Sequence, residues 1–277
     1  MTGMDHIARL ARFRTETAAF EKAVQRAVDQ AAGGPAPLVP PCPGWTVSDL
    51  VAHLGGVHRY LSHILRGRLT EAPDATDPAL YGLPADPAER AAWPMPDRAP
   101  NHGPVPQTLT DWFAEGARDL AGLLGELGPD TPVWTWSAEQ TSGFWMRMQL
   151  IELAVHRWDA ESVTGGPQPL DPALASDAVP QTFEVMAPAR RAWTSAPPGS
   201  GERYRFRRTD GPGSWTVEFT PDAVLLDPDP ASPVPVELSG TASDLLLFLW
   251  HRIPPAALTV RGDASLLPRW FTLVPPV

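Results

Sequence analysis

"GFWMRMQLIELAVHRWDAESV", residues 143–163, decides the fold class of the first half of the chain. Met148, Ile151, Val155 and Trp158 recur at spacings of three and four, which is the period of one helix face turned to a core. Glu152 and His156 stand one position past Ile151 and Val155, at the edge of that apolar stripe. Residues four apart on a helix are surface neighbours, so this carboxylate and imidazole can pair with each other or converge on one ion. Spacing alone leaves the ion pair as the commoner of the two arrangements, contributing about 0.2–0.5 kcal/mol.

Three more helices are expected upstream. Residues 5–32 carry Ile7, Leu10, Phe13, Ala18 and Val24 at helical spacing and end at the Gly/Pro-rich break "AAGGPAPLVPPCPGW". A second helix starts at "TVSDLVAHLGGVHRYLSHILRG", where Thr46 can cap the first turn and Asp49 sits at the capping-box position. Its stripe is Val47, Leu50, Leu54, Val57, Leu61 and Ile64. A third occupies 108–127. Residues 67–107 hold many prolines and no sustained period, which fits a lid, a wrapping crossover or a binding loop. Four helices with one long connection between the second and third describe a bundle with a crossover.

After "TGGPQP" the pattern changes. Residues 171–193 read as helical and "SAPPGSGE" as a loop. Strand-like stretches follow at 203–208, 214–219, 223–227 and 235–240, separated by Gly, Pro and Asp. "TASDLLLFLWHR" is a helix opened by a second Thr-x-x-Asp box, followed by a strand "LTVRG" and a short helix "DASLLPRW". The expected organisation is therefore an α-helical domain over residues 1–165 and a small α+β domain over 166–277.

Composition narrows the function classes. A formal net charge of −10 argues against nucleic acid or an anionic membrane as partner, because both need a basic surface. Cys42 is the single cysteine, so the chain can form no internal disulfide and needs no oxidising compartment. The N-terminal stretch mixes charge into every turn, unlike a secretory signal, and the apolar run "LLLFLW" is too short to span a bilayer. A soluble cytoplasmic protein is expected, as a monomer or small homo-oligomer.

His53 on the second helix lies three after Leu50 and four before Val57, the same relation to its stripe that Glu152 and His156 have to theirs. Two His and one carboxylate from two facing helices would make a three-ligand site with open positions, which suits catalysis better than a closed structural zinc site. His58 and His63 fall away from that face, and His6 and His102 lie in segments expected to be exposed. Cys42, between two prolines, reads as a small packed turn residue. Trp45 and Trp158 read as core aromatics near the site, and Asp159 as either an acceptor for a ligating imidazole or a surface charge.

"PCPGWTVSDLVAHL" (41–54) and "GFWMRMQLIELAVHRWDAE" (143–161) together resemble the mycothiol-dependent maleylpyruvate isomerase family. "VELSGTASDLLLFLWHRIPPAALTVRGDASLLPRW" is similar to that family's second domain. The resemblance covers nearly the whole chain. It implies a DinB-like four-helix bundle followed by a sterol-carrier-like α/β unit, with metal ligands falling on His53, Glu152 and His156. It implies Zn²⁺, or another divalent ion that such a donor set accepts, with mycothiol as the thiol cofactor and a small electrophile as substrate. In the isomerase chemistry that follows, a thiolate adds to an alkene, the new single bond rotates, and elimination returns the thiol and the trans isomer. In related thiol transferases the sulfur stays on the product.

The resemblance also implies an arginine of the second domain that reaches the active site, here Arg252. The family pattern usually has Gly where this chain has His251, and commonly has basic residues after the Trp and a His just before the ligand Glu. Here those positions are Arg147, Met148 and Ile151, which would suit a less anionic substrate than maleylpyruvate. Two rival readings stay open at this point. One is metal-assisted chemistry without a thiol, on activated water or a substrate oxygen. The other is a non-catalytic ligand-binding or regulatory module.

Overall fold

The computed structural model describes residues 4–83, 86–95, 98–227, 229 and 232–276. Positions 84–85 and 96–97 of the expected crossover, and 1–3, 228, 230–231 and 277 of the two expected domains, lie outside the described residues. The chain divides into two compact units, Met4–Gln168 and Pro169–Val277.

The first unit is a bundle of α1 (His6–Ala31), α2 (Val47–Gly67), α4 (Gln107–Glu126) and α5 (Ser142–Thr164), with a short α3 (Pro87–Ala92) in the crossover. α1 packs on α5, α2 on α4, and the remaining sides are closed by α1 with α4 and α2 with α5. The starts are set by local chemistry. Asp5 accepts from the Ala8 N–H at 2.8 Å and Thr141 from the Phe144 N–H at 3.2 Å. At α2 both halves of the Thr46–Asp49 capping box form. Burial alone would raise the Asp49 carboxyl, but hydrogen bonds from Thr46 and Asn101 outweigh it and hold it below its ordinary value. Because Asn101 lies at the far end of the crossover, the same carboxylate that caps α2 also ties that segment down.

Helix α5 is buried around most of its circumference, which is why its sequence is apolar on more than one face. Burial brings Arg157 inside, where it is bracketed by Glu16 of α1 and Glu161 of its own helix. Trp158, read as part of the core stripe, is only half-buried. The stripe continues through Leu153 and Ala154 instead, because α1 and α2 cover two sides of the helix.

Gly55 lets α2 and α4 approach closely. A Cβ there would lie 2.1 Å from Cζ3 of the buried Trp112. Gly55→Ala is therefore expected to lower stability by about 1–3 kcal/mol through overpacking, despite alanine's better helix propensity. The urea midpoint of unfolding reads this directly.

The second unit is a five-stranded sheet in the order β3-β2-β1-β4-β5, with helices on it. Its strands are β1 (Glu202–Arg208), β2 (Ser214–Phe219), β3 (Val224–Asp227), β4 (Val236–Gly240) and β5 (Thr259–Gly262). β1 and β4 are parallel and the other pairs antiparallel. Alternation sorts β1. Tyr204 and Phe206 point into a core with Phe219, Phe248 and Trp270, while Arg203, Arg205 and Arg207 face acids of the neighbouring strands. The helices are α6 (Pro172–Gln181), α7 (Ala187–Trp193), α8 (Ala242–Leu249) and α9 (Leu267–Leu273). Among the described residues, no helix is long and apolar enough to cross a membrane.

Candidate metal centre

His53 comes from the second turn of α2, while Glu152 and His156 come from successive turns of α5. The structure brings all three together, with one potential ligand atom from each lying within 4.8 Å of the others. His53 Nε2 donates to Glu152 Oε1 at 3.0 Å, and Gln149, one turn earlier on α5, donates to Glu152 Oε2 at 2.7 Å. Burial alone would raise the Glu152 carboxyl. The His53 hydrogen bond and charge, then those of His156 and Gln149, outweigh it and bring the pKa down to about 2. Glu152 is therefore a carboxylate throughout the neutral range, the form a cation binds.

Behind His156 lies Asp159, which is fully buried and accepts from His156 Nδ1 at 2.9 Å. That bond fixes the ring's tautomer and leaves the Nε2 lone pair for a ligand. The same Asp159 oxygen accepts from the Cys42 thiol at 3.3 Å, so the lone cysteine is part of the support for His156. Cys42, His156 and Asp159 also lie close enough together to hold an ion. Both groups are hydrogen-bonded internally, but only the His53 group reaches a cavity, through the partly exposed His53 ring. Trp45 packs on both imidazoles, with ring centroids 5.0 Å from His53 and 6.3 Å from His156. Donor set, a partly buried carboxylate and a fixed imidazole all suit a divalent cation such as Zn²⁺. Asp159→Asn keeps the shape but weakens the acceptor, and it is expected to lower metal affinity about 10–100-fold in a competition titration against a chelator.

The other histidines divide differently from the expectation. His6 is half-buried and bonds the Leu124 carbonyl at 2.9 Å. His58, on the far face of α2 from His53, is fully buried between Phe13 and Phe113, and burial pushes its pKa down to about 4. It is a neutral core ring rather than a ligand. His63 and His102 are exposed.

Arg252 lies in the second unit just past α8, half-buried, with its Nη1 donating to the Trp250 carbonyl at 2.9 Å. Its neighbour His251 has φ of +61°, the left-handed region that favours glycine. The backbone thus accounts for the family's Gly at this position. His251 occupies it with its ring against Phe271, 4.8 Å between centroids. Met148 and Ile151, the departures from the family pattern near Glu152 and His156, are core residues.

Sequence reasoning missed the wall opposite His53. A cavity of about 330 Å³ opens beside that ring, between α2 and the crossover, with Tyr81, Leu83, Trp93 and Met95 on its crossover side. The only signal was aromatic residues within a Pro-rich segment of no period. A wider groove on the other side of Trp93 and Trp112 carries Glu89, Asp111, Glu115 and Arg118 and none of the three converging residues.

Residues 13–161 match the model of the mycothiol maleylpyruvate isomerase N-terminal domain, and residues 173–269 match the model of the C-terminal domain of the same family. The chain belongs to the mycothiol maleylpyruvate isomerase family. Among solved structures, the mycothiol-dependent maleylpyruvate isomerase aligns with TM-score 0.64 at 17% identity, covering 95% of this chain and 98% of that one. A point mutant of that enzyme aligns with TM-score 0.63 at 16% identity over the same shares. At this identity the likeness establishes a shared fold: a helical first part and a mixed five-stranded second one. No match to a curated protein was found.

Proposed function

We propose that the protein is a metal-dependent enzyme that uses mycothiol as cofactor or co-substrate, isomerising a small electrophile or transferring sulfur to it. The observation that carries this reading is the convergence of His53, Glu152 and His156 in a bundle of this family. These three residues would hold a divalent ion, Zn²⁺ by the chemistry of the donor set. What the ion supplies when bound is a position that favours thiolate, the nucleophilic form, over thiol at neutral pH.

The chain's own groups prepare that position. Glu152 contributes the negative charge that offsets the cation, held in place by Gln149. Asp159 orients His156, and Trp45 covers the two imidazoles and excludes water from that side. Three protein ligands leave room for a thiol. Arg252 is the residue the family pattern offers for a carboxylate of cofactor or substrate, and Arg252→Met should then raise KM with little change in metal content.

The test is direct. Protein loaded with cobalt in place of zinc, titrated with mycothiol, should develop a saturable near-ultraviolet thiolate-to-metal band. The band should be absent in His53→Ala. Saturable metal loading with no such band at any mycothiol concentration would overturn the thiol reading and favour activated water on the metal.

A further inference from the structure

The cavity beside His53 is walled by Val57 of α2, Trp112 of α4, and Tyr81, Leu83, Trp93 and Met95 of the crossover. Among the described residues that line it, none is Asp, Glu, Lys or Arg. The polar ends of two of its aromatics are already committed to backbone. Tyr81 Oη donates to the Ala75 carbonyl at 2.9 Å, and Trp112 Nε1 donates to the Tyr81 carbonyl at 2.9 Å. The first bond braces the crossover on itself and the second ties it to α4, and both leave ring surface rather than free hydrogen-bonding groups toward the space. Trp93 meets Trp112 edge-on at 5.6 Å, and Tyr81 stacks with Tyr60 at 6.5 Å, so the walls brace one another. At about 330 Å³ the cavity lies at the small end of the range for small-molecule sites.

Such a lining discriminates by charge. A carboxylate entering it would lose its hydration and meet no charged side chain along these walls; the cation of the proposed metal centre would lie only at the His53 rim, where the thiol is to bind. An uncharged ring or alkyl group would lose only unfavourable contact with water.

We propose that this cavity is the electrophile's binding site and that it selects an uncharged, predominantly apolar electrophile, best an aromatic one, over a dicarboxylate. The proposal rests on the metal-and-thiol reading for its chemistry, because His53 is the one residue shared by the cavity and the converging group. It rests on the cavity alone for its selectivity.

The experiment separates the two. Full-length protein, with and without added zinc and without thiol, is titrated calorimetrically with methyl cinnamate and with cinnamate, which share a ring and alkene but differ in charge. Methyl cinnamate is expected to bind about tenfold or more tightly than cinnamate. Gly56 and Tyr81 both line the cavity, and a Cβ on Gly56 would already touch Tyr81 Cδ1 at 3.9 Å, so a longer side chain there takes up the space. Gly56→Leu should abolish ester binding while metal content stays at the wild-type level. Val57→Arg supplies the missing cation on the same wall and should reverse the preference toward cinnamate. Equal or tighter binding of cinnamate by the wild-type protein, or ester binding that survives Gly56→Leu, would overturn the proposal, as would binding of neither compound. Ester binding at its expected strength in a protein that takes up no metal would leave the cavity's selectivity standing and sink the metal-and-thiol reading alone.

Discussion

If His53, Glu152 and His156 hold a divalent ion as proposed, His53→Ala is expected to strip it from the protein while leaving the chain folded. One of the three proposed ligands is lost, and dividing the affinity of a protein zinc site among its ligands gives a fall on the order of a hundredfold to a thousandfold. Thiol-dependent turnover should fall to background with it. The fold should tolerate the change, because the His53 side chain is 28% exposed and alanine is the best helix former at that place in α2. The loss of the imidazole is felt locally instead. Glu152 loses the largest influence lowering its pKa, and its carboxyl moves back toward the ordinary range.

His156→Ala makes an informative contrast. It removes a proposed ligand too, but it also leaves the fully buried Asp159 without its imidazole donor. An under-satisfied buried charge costs about 1–3 kcal/mol or more, so this variant should lose both metal and melting temperature. Elemental analysis of the purified proteins, with thermal melts beside it, checks both. A His53→Ala protein that retains a full complement of metal would show that the ion sits elsewhere, with the Cys42, His156 and Asp159 group the alternative among the described residues.

The largest effect on stability is expected away from the candidate metal centre, at Arg157. Its Nε donates to Glu16 Oε2 at 2.9 Å, and its Nη1 donates to Glu161 Oε2 at 2.7 Å and to the Gln168 carbonyl at 2.7 Å. All three charged residues are less than a tenth exposed. Replacing this cluster wholesale with apolar groups could be neutral, but removing one member leaves its partners charged, buried and unpaired. Arg157→Met is therefore expected to destabilise the first unit by about 3–5 kcal/mol, because two carboxylates lose their shared cation. Arg157→Lys should recover only part of this, since one ammonium cannot span two carboxylates and a carbonyl as the guanidinium fork does. Urea unfolding, with hydrogen exchange of the α1 and α5 amides, reads the loss where it occurs. Unchanged exchange in both helices would mean that the cluster contributes nothing net.

The α5 sequence shows how far a linear reading reaches. Period and position placed Glu152 and His156 on the border of an apolar face, and the same relation on α2 singled out His53, because helical geometry ties spacing to direction. The helix starts were legible for a similar reason: Thr46 with Asp49 and Thr241 with Asp244 act on backbone groups within one turn. The β1 alternation likewise sorts tyrosine and phenylalanine from arginine by sheet face.

What stayed hidden depends on neighbours distant in sequence. Asp159 reads as either an acceptor for an imidazole or a surface charge, and Arg157 carries no signal in the sequence; both are buried, because α1 and α2 cover sides of α5 that its own period does not reveal. His58 was set aside for pointing away from His53, yet pointing away meant pointing into the aromatic contact between α1 and α4. The crossover has no period to read, since its conformation follows from long-range ties at Asn101 and Tyr81.

By itself, then, the sequence determined the helical bundle, the α+β character of the half that follows it, and three residues able to meet, because each of these follows from periodicities within single elements and from their order along the chain. Only the tertiary structure decided that the three do meet within 4.8 Å, that Asp159 and Cys42 stand behind them, and that an apolar chamber opens beside His53. Those outcomes depend on which faces of separate helices are pressed together, and no spacing along one helix encodes the distance to another.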